Sequence, residues 1–137
     1  MEMELFNISR LSDAIYARQR GREMAKEIGF GIVDQTRIAF TISELTNSTA
    51  TMHEMSHLMI GRLESEKGEA GIELTLVGED NCFLDLELKW IAVWSEEWDI
   101  TVNRKRGTCF SLRKWIPLPY GMETTSMKMQ HFALGEE

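Results

Sequence analysis

Residues 14–45 read AIYARQRGREMAKEIGFGIVDQTRIAFTISEL, and the reading of this stretch decides the fold. Ala14, Ala17, Gly21, Met24, Ala25 and Ile28 recur at helical spacing, which puts them on one face of a helix. The opposite face carries Arg18, Arg20, Arg22, Lys26 and Glu27. Ser12 is the expected N-cap, because its hydroxyl can accept the free N–H groups of the first turn. Gly29 follows the last apolar position and predicts a left-handed stop. Asp34 is the next capping candidate, and Ile38, Ile42, Leu45 and Thr49 trace the buried stripe of a second helix. Residues 46–51 (TNSTAT) are poor helix material, since short hydroxyl and amide side chains compete for backbone hydrogen bonds. The second helix is expected to end in this run or soon after.

Working outward, residues 3–8 (MELFNI) read as a short edge strand, and 57–64 and 71–77 as two strands joined by a polar turn containing Gly68. Leu88, Ile91, Trp94 and Trp98 stand close to helical spacing. The chain then reads as a strand, a basic turn at Arg104–Gly107 and another strand, until Pro117 and Pro119 end the pattern. Helical and strand-like periods alternate, which predicts a mixed α/β domain. The domain is expected over residues 1–116, with 117–137 as a polar, Met-rich tail or linker.

The chain has 137 residues, enough for one core. Hydrophobic residues make up 43% and charged ones 27%, an ordinary globular balance. Acidic residues outnumber basic ones 22 to 15, a net charge of -7. Binding nucleic acid through bulk charge needs clustered Lys and Arg, so no nucleic-acid partner is expected. No apolar run approaches the ~20 residues that span a bilayer, and the N-terminus lacks a signal-peptide core. A cytoplasmic protein without a membrane partner is the expectation. Cys82 and Cys109 are too few for a disulfide scaffold and are read as small, partly buried thiols.

His53-Glu54-Met55-Ser56-His57 matches H-E-x-x-H. Zinc chemistry needs both histidines on one helical face, with the Glu activating water. The motif instead runs directly into a strand-like pattern, without a clearly placed third ligand, so a polar loop is the reading adopted and no metal site is expected. Trp90, Trp94, Trp98 and Trp115 are read as core plugs. Neither common phosphate loop occurs, and Gly29 and Gly31 stand after a helix, where they cap it and cradle no phosphate.

One constellation is more specific. The run Gly21-Arg22-Glu23-Met24-Ala25-Lys26-Glu27-Ile28-Gly29-Phe30 is followed by Asp34-Gln35-Thr36-Arg37-Ile38-Ala39 and by Thr41-Ile42-Ser43-Glu44-Leu45. Near the other end, Gly107-Thr108 precedes Arg113-Lys114-Trp115-Ile116. This order resembles the anti-sigma-factor serine/threonine kinase branch of the GHKL (histidine-kinase-like) ATPases, and within it the stressosome switch kinases. The resemblance covers about residues 8–116. It implies an α+β sandwich: a mixed, mostly antiparallel sheet with helices on one face. It also implies ATP between helices and sheet, and a serine on a STAS-domain antagonist as the target. Such kinases can also switch partners by protein contact alone.

Carried over residue by residue, much of that site fails. The family's helix bears Glu and, one turn later, a Mg²⁺-holding Asn. Glu44 keeps the base position, Ser48 stands where the Asn belongs, and Asn47 is displaced by one residue, roughly 100° around the helix. The adenine-binding D-x-G-x-G motif falls on Gly78, Asp80 and Cys82; shifting the register to use Asp80 leaves Cys82 and Leu84 where glycines are needed. Residues 78–90 hold one glycine, too few for the family's lid. The resemblance therefore implies an ATPase fold without the ATP lid and with a degenerate nucleotide site. A non-catalytic module is expected, without cofactor, that binds a STAS-type or other sigma-factor regulator through Arg18, Arg20 and Arg22. The alternatives are a working kinase using ATP and Mg²⁺ through Glu44, Asn47 and Asp80, or the N-terminal regulatory part of a longer PP2C-type phosphatase.

Overall fold

Asp13 starts the first helix from inside its first turn. In the computed structural model, which describes residues 3–51, 56–78, 97–103 and 108–117, strand β1 (Met3–Ile8) leads into helix α1 (Leu11–Ile28). The Asp13 Oδ2 accepts hydrogen bonds from the backbone N–H groups of Ser9 and Arg10, each at 3.0 Å. A carboxylate there also complements the positive end of the helix dipole. This corrects the expected cap. The N-cap is Arg10, in extended conformation, and Ser12 already lies within the helix. All six positions expected to face the core are buried. At the far end Gly29 takes φ +119°, and its N–H reaches the carbonyls of Ala25 and Lys26 at 3.1 Å. A side chain there would be strained, which explains the stop.

Helix α2 (Ile32–Thr51) follows after three residues, a loop length that makes the two helices antiparallel neighbours. It starts two residues before Asp34, and Gln35 Nε2 donates back to the Phe30 carbonyl at 2.8 Å. Ile38, Ile42 and Leu45 are fully buried, as their spacing predicts. The helix continues to the end of the TNSTAT run. Thr46 and Thr41 donate to the carbonyls of Ile42 and Arg37, at 2.7 and 2.9 Å, so both hydroxyls are satisfied on their own helix. The side chain of Thr49 lies outside the described set. Gly21 lets the helices approach, since an added Cβ would sit 2.1 Å from Ile42 Cδ1.

Four strands follow: β2 (Ser56–Glu64), β3 (Ala70–Gly78), β4 (Asp99–Asn103) and β5 (Thr108–Trp115). With β1 they form a five-stranded sheet in the order β1-β2-β3-β5-β4. Every described pairing is antiparallel, in keeping with the mostly antiparallel sheet that the resemblance implies. Alternation does the layering. Phe6, Leu58, Leu76 and Phe110 share one row and face the helices, buried with Ile42 and Leu45 in one cluster. The other face is mixed: Arg113 pairs with Glu73 at 2.7 Å, the Thr75 and Ser111 hydroxyls lie 3.3 Å apart, and Met3 and Leu5 of β1 are exposed on it. Fold class is therefore α+β, with both described helices on one face of the sheet. No described helix is long and apolar enough to cross a membrane.

The expected helix around Leu88–Trp94, Cys82, the turn at 104–107 and the tail beyond Pro117 lie outside the described residues. So does the lid stretch 79–90. Trp98, at the start of β4, is buried as expected.

Candidate functional site

Helix α2 presents two neighbouring flanks above its buried stripe, and the expected site residues divide between them. Glu44 is half-buried and shares one flank with Arg37, seven residues earlier, and Ser48, four later. Asn47 is exposed and falls on the other flank, with Phe40 and Ser43. Because the helix is continuous through this region, Asn47 cannot occupy the position of Ser48. Gly78 ends β3, opposite Thr108 of β5. Asp80 lies outside the described residues. His57 is a strand residue of β2, with Nδ1 2.6 Å from Asn7 Oδ1; His53, Glu54 and Met55 of the H-E-x-x-H sequence lie outside the described residues. Among the described residues no cluster of metal-ligating side chains occurs. Cys109 is half-buried on β5 and unbridged.

The three arginines of α1 part company. Arg20 turns toward the edge strand: its Nε lies 2.8 and 2.9 Å from the two carboxylate oxygens of Glu4, and its Nη1 reaches Glu23 and Glu27 at 3.2 and 3.5 Å. The Glu4 hydrogen bond drives the guanidinium pKa further up, against the opposing effect of burial. Arg18 and Arg22 go the other way. They face Thr36, Ala39, Phe40 and Ser43 of α2 across a groove of about 410 Å³ on the side of the helix pair away from the sheet. Arg22 Nη2 lies 3.5 Å from Thr36 Oγ1. Phe40 is 60% exposed.

Sequence reasoning missed Phe40 and Glu4. Phe40 carried a signal, an aromatic two residues after buried Ile38 and so off the apolar stripe. Glu4 carried none, since only sheet formation brings it beside Arg20. A third cluster was also missed. Lys114 of β5 reaches Asp34 at 3.8 Å and lies 5.4 Å over the Trp98 ring, tying the start of α2 to the β4 edge of the sheet.

Two antiparallel helices on one face of an antiparallel sheet, with Glu44 about two turns before the end of the second, fit the α+β sandwich that the resemblance implies. No family model matches the chain. Over 68 residues it is 38% identical to the serine/threonine-protein kinase RsbT of Bacillus subtilis (strain 168), a match covering 50% of this chain. The chain spans about half (49%) of the length of that curated relative. The similarity supports a relationship to serine/threonine kinases of this kind.

Proposed function

We propose that this chain is a non-catalytic regulatory module related to anti-sigma-factor serine/threonine kinases, acting by binding a STAS-type or other phosphorelay protein in sigma-factor signalling. The observation carrying this reading is the Glu44 flank of α2, which keeps the base position and lacks the metal-holding amide. Gly78 in place of the adenine-accepting Asp supports it. A buried polar contact left unmade costs about 1–3 kcal/mol, so losing both contacts removes roughly one and a half to four decades of affinity. Titration calorimetry with Mg-ATP is expected to give no saturable heat at micromolar concentrations, while a purified STAS-domain protein from the same cell binds the chain directly. Saturable nucleotide binding overturns the non-catalytic reading.

The retention of Glu44 favours a second reading, a kinase with an altered ATP site. Transfer of the γ-phosphate of radiolabelled ATP to a STAS-domain serine, abolished in Glu44→Gln, would establish it in place of the first.

A further inference from the structure

We propose that the groove between α1 and α2 is a docking site for an acidic amphipathic helix of a protein partner, with Phe40 as the apolar anchor and Arg18 and Arg22 as the charge clamp. The inference rests on the partner-binding reading above and gives it a surface.

Three observations point to that occupant. First, the outer strip of α1 runs Leu11, Ile15, Arg18, Arg22, the alternating three- and four-residue spacing of a helix-packing seam. Leu11 and Ile15 are about half exposed, at 53% and 47%. On α2, Val33 and Phe40 stand seven residues apart and are 62% and 60% exposed. Side chains of this size at seam positions, on helices already packed against the sheet by their other faces, present a ready groove for a third helix.

Second, the local charge is opposite to that of the whole chain. The net charge is -7, yet among the described residues two guanidiniums line the groove and no carboxylate does. Arg20 is taken by Glu4, Glu23 and Glu27. Among the described residues, neither Arg18 nor Arg22 forms an ion pair. Guanidiniums one turn apart match carboxylates placed one turn apart on a facing helix, and charge-assisted bonds of that kind set orientation and association rate.

Third, the polar part of the rim is short. Thr36 and Ser43 flank Phe40, so an apolar side chain seated on the ring lies between hydroxyls, with the arginines opposite. An aromatic at the centre of a groove, ringed by polar groups, is the usual anatomy of a binding hot spot. Two cations are too few to hold a nucleic acid backbone against the net charge.

The test uses the full 137-residue chain and a fluorescein-labelled, 18-residue helical peptide. The peptide carries Leu on two successive turns of one face and Glu on the next two turns of that face. A second peptide replaces each Glu by Lys. Fluorescence anisotropy is expected to show binding of the acidic peptide alone. Phe40→Ala should weaken it about tenfold, and Arg18→Ala/Arg22→Ala should weaken it and remove most of its salt dependence, with melting curves unchanged. Amide shifts should fall on residues 15–22 and 36–43. Equal binding of both peptides, unchanged binding in both variants, or shifts on the outer sheet face would overturn the proposal. So would a Phe40-dependent dimer in sedimentation, which would assign the groove to a second copy. A STAS-domain protein held equally by wild type and both variants overturns the groove and leaves the functional reading standing. Binding of the acidic peptide without binding of any such protein supports the groove and removes that reading.

Discussion

Arg20 sits among three carboxylates, whereas among the described residues Arg18 and Arg22 pair with none, so the same substitution acts differently at neighbouring positions. Arg20→Glu places a fourth acid beside Glu4, Glu23 and Glu27 and releases β1 from α1. It is expected to lower the melting temperature by a few degrees, while Arg18→Glu and Arg22→Glu change stability by no more than about 0.5 kcal/mol. Three equal shifts in circular-dichroism melts would contradict the division. The fan of arginines was legible in the sequence; its division was not, because Glu4 lies sixteen residues away and meets Arg20 only through the sheet. Gly21 poses a sharper contest of magnitudes. Gly21→Ala gains about 1 kcal/mol of helix propensity. Its new Cβ would sit 2.1 Å from Ile42 Cδ1 and 3.3 Å from Ile60 Cδ1, both on fully buried residues, and overpacking costs about 1–3 kcal/mol. Packing is expected to win. The urea midpoint should fall with an unchanged m-value, and a rise would mean that the core gives way easily.

Helix α1 shows how far a pattern reaches at the scale of an element. Its six core positions follow from period alone, and Gly29 ends it through a backbone conformation that its sequence context announces. Its beginning does not follow from period: the expected cap, Ser12, lies inside the helix, and its neighbour Asp13 is the residue that reaches back. The backbone bonds from Ser9 and Arg10 hold the Asp13 carboxyl below the usual carboxylate range. A depressed acid contributes stability above its unfolded pKa and loses it as pH falls through the folded value. Asp13→Asn is therefore expected to melt below wild type at neutral pH. The two curves should converge in acid, below about pH 4. A gap constant from pH 7 to pH 2 would show that shape and not charge carries the cap. The strands were legible in the same way, to within a residue at each end, since alternation marks their core faces. Their order was not. Placing β5 between β3 and β4 depends on which edges meet after the chain leaves Gly78, and no local pattern encodes that.

At the scale of the whole molecule, the helix pair and the sheet are joined at several points, and the proposed loss of nucleotide binding is likewise spread over several. The core cluster runs from Phe6 through Ile42 to Leu112, and Lys114 ties α2 to β5 and β4 through Asp34 and Trp98. These joins hold α2 in place whether or not its outer flank binds a nucleotide, so the fold can persist while the ATP site decays. The proposed decay is read from the sequence, where each replaced ligand is a change of side-chain type at a fixed position. The groove is not, because it needs two helices to meet. On the proposed reading, restoring one part of the site restores nothing. Ser48→Asn returns a metal-holding amide to the Glu44 flank, and Gly78→Asp returns an acceptor at the end of β3, where Gly78 is half-buried. Each repair regains at most a few kcal/mol, while the glycine-poor run at 78–90 still lacks the residues that let a backbone close over phosphates. Calorimetry at 25 °C is expected to detect no saturable Mg-ATP binding in Ser48→Asn, in Gly78→Asp or in the double variant, with each variant folded by circular dichroism. Micromolar binding by the double variant would mean that the rest of the site is intact, and that the chain lies two substitutions from a nucleotide-binding kinase.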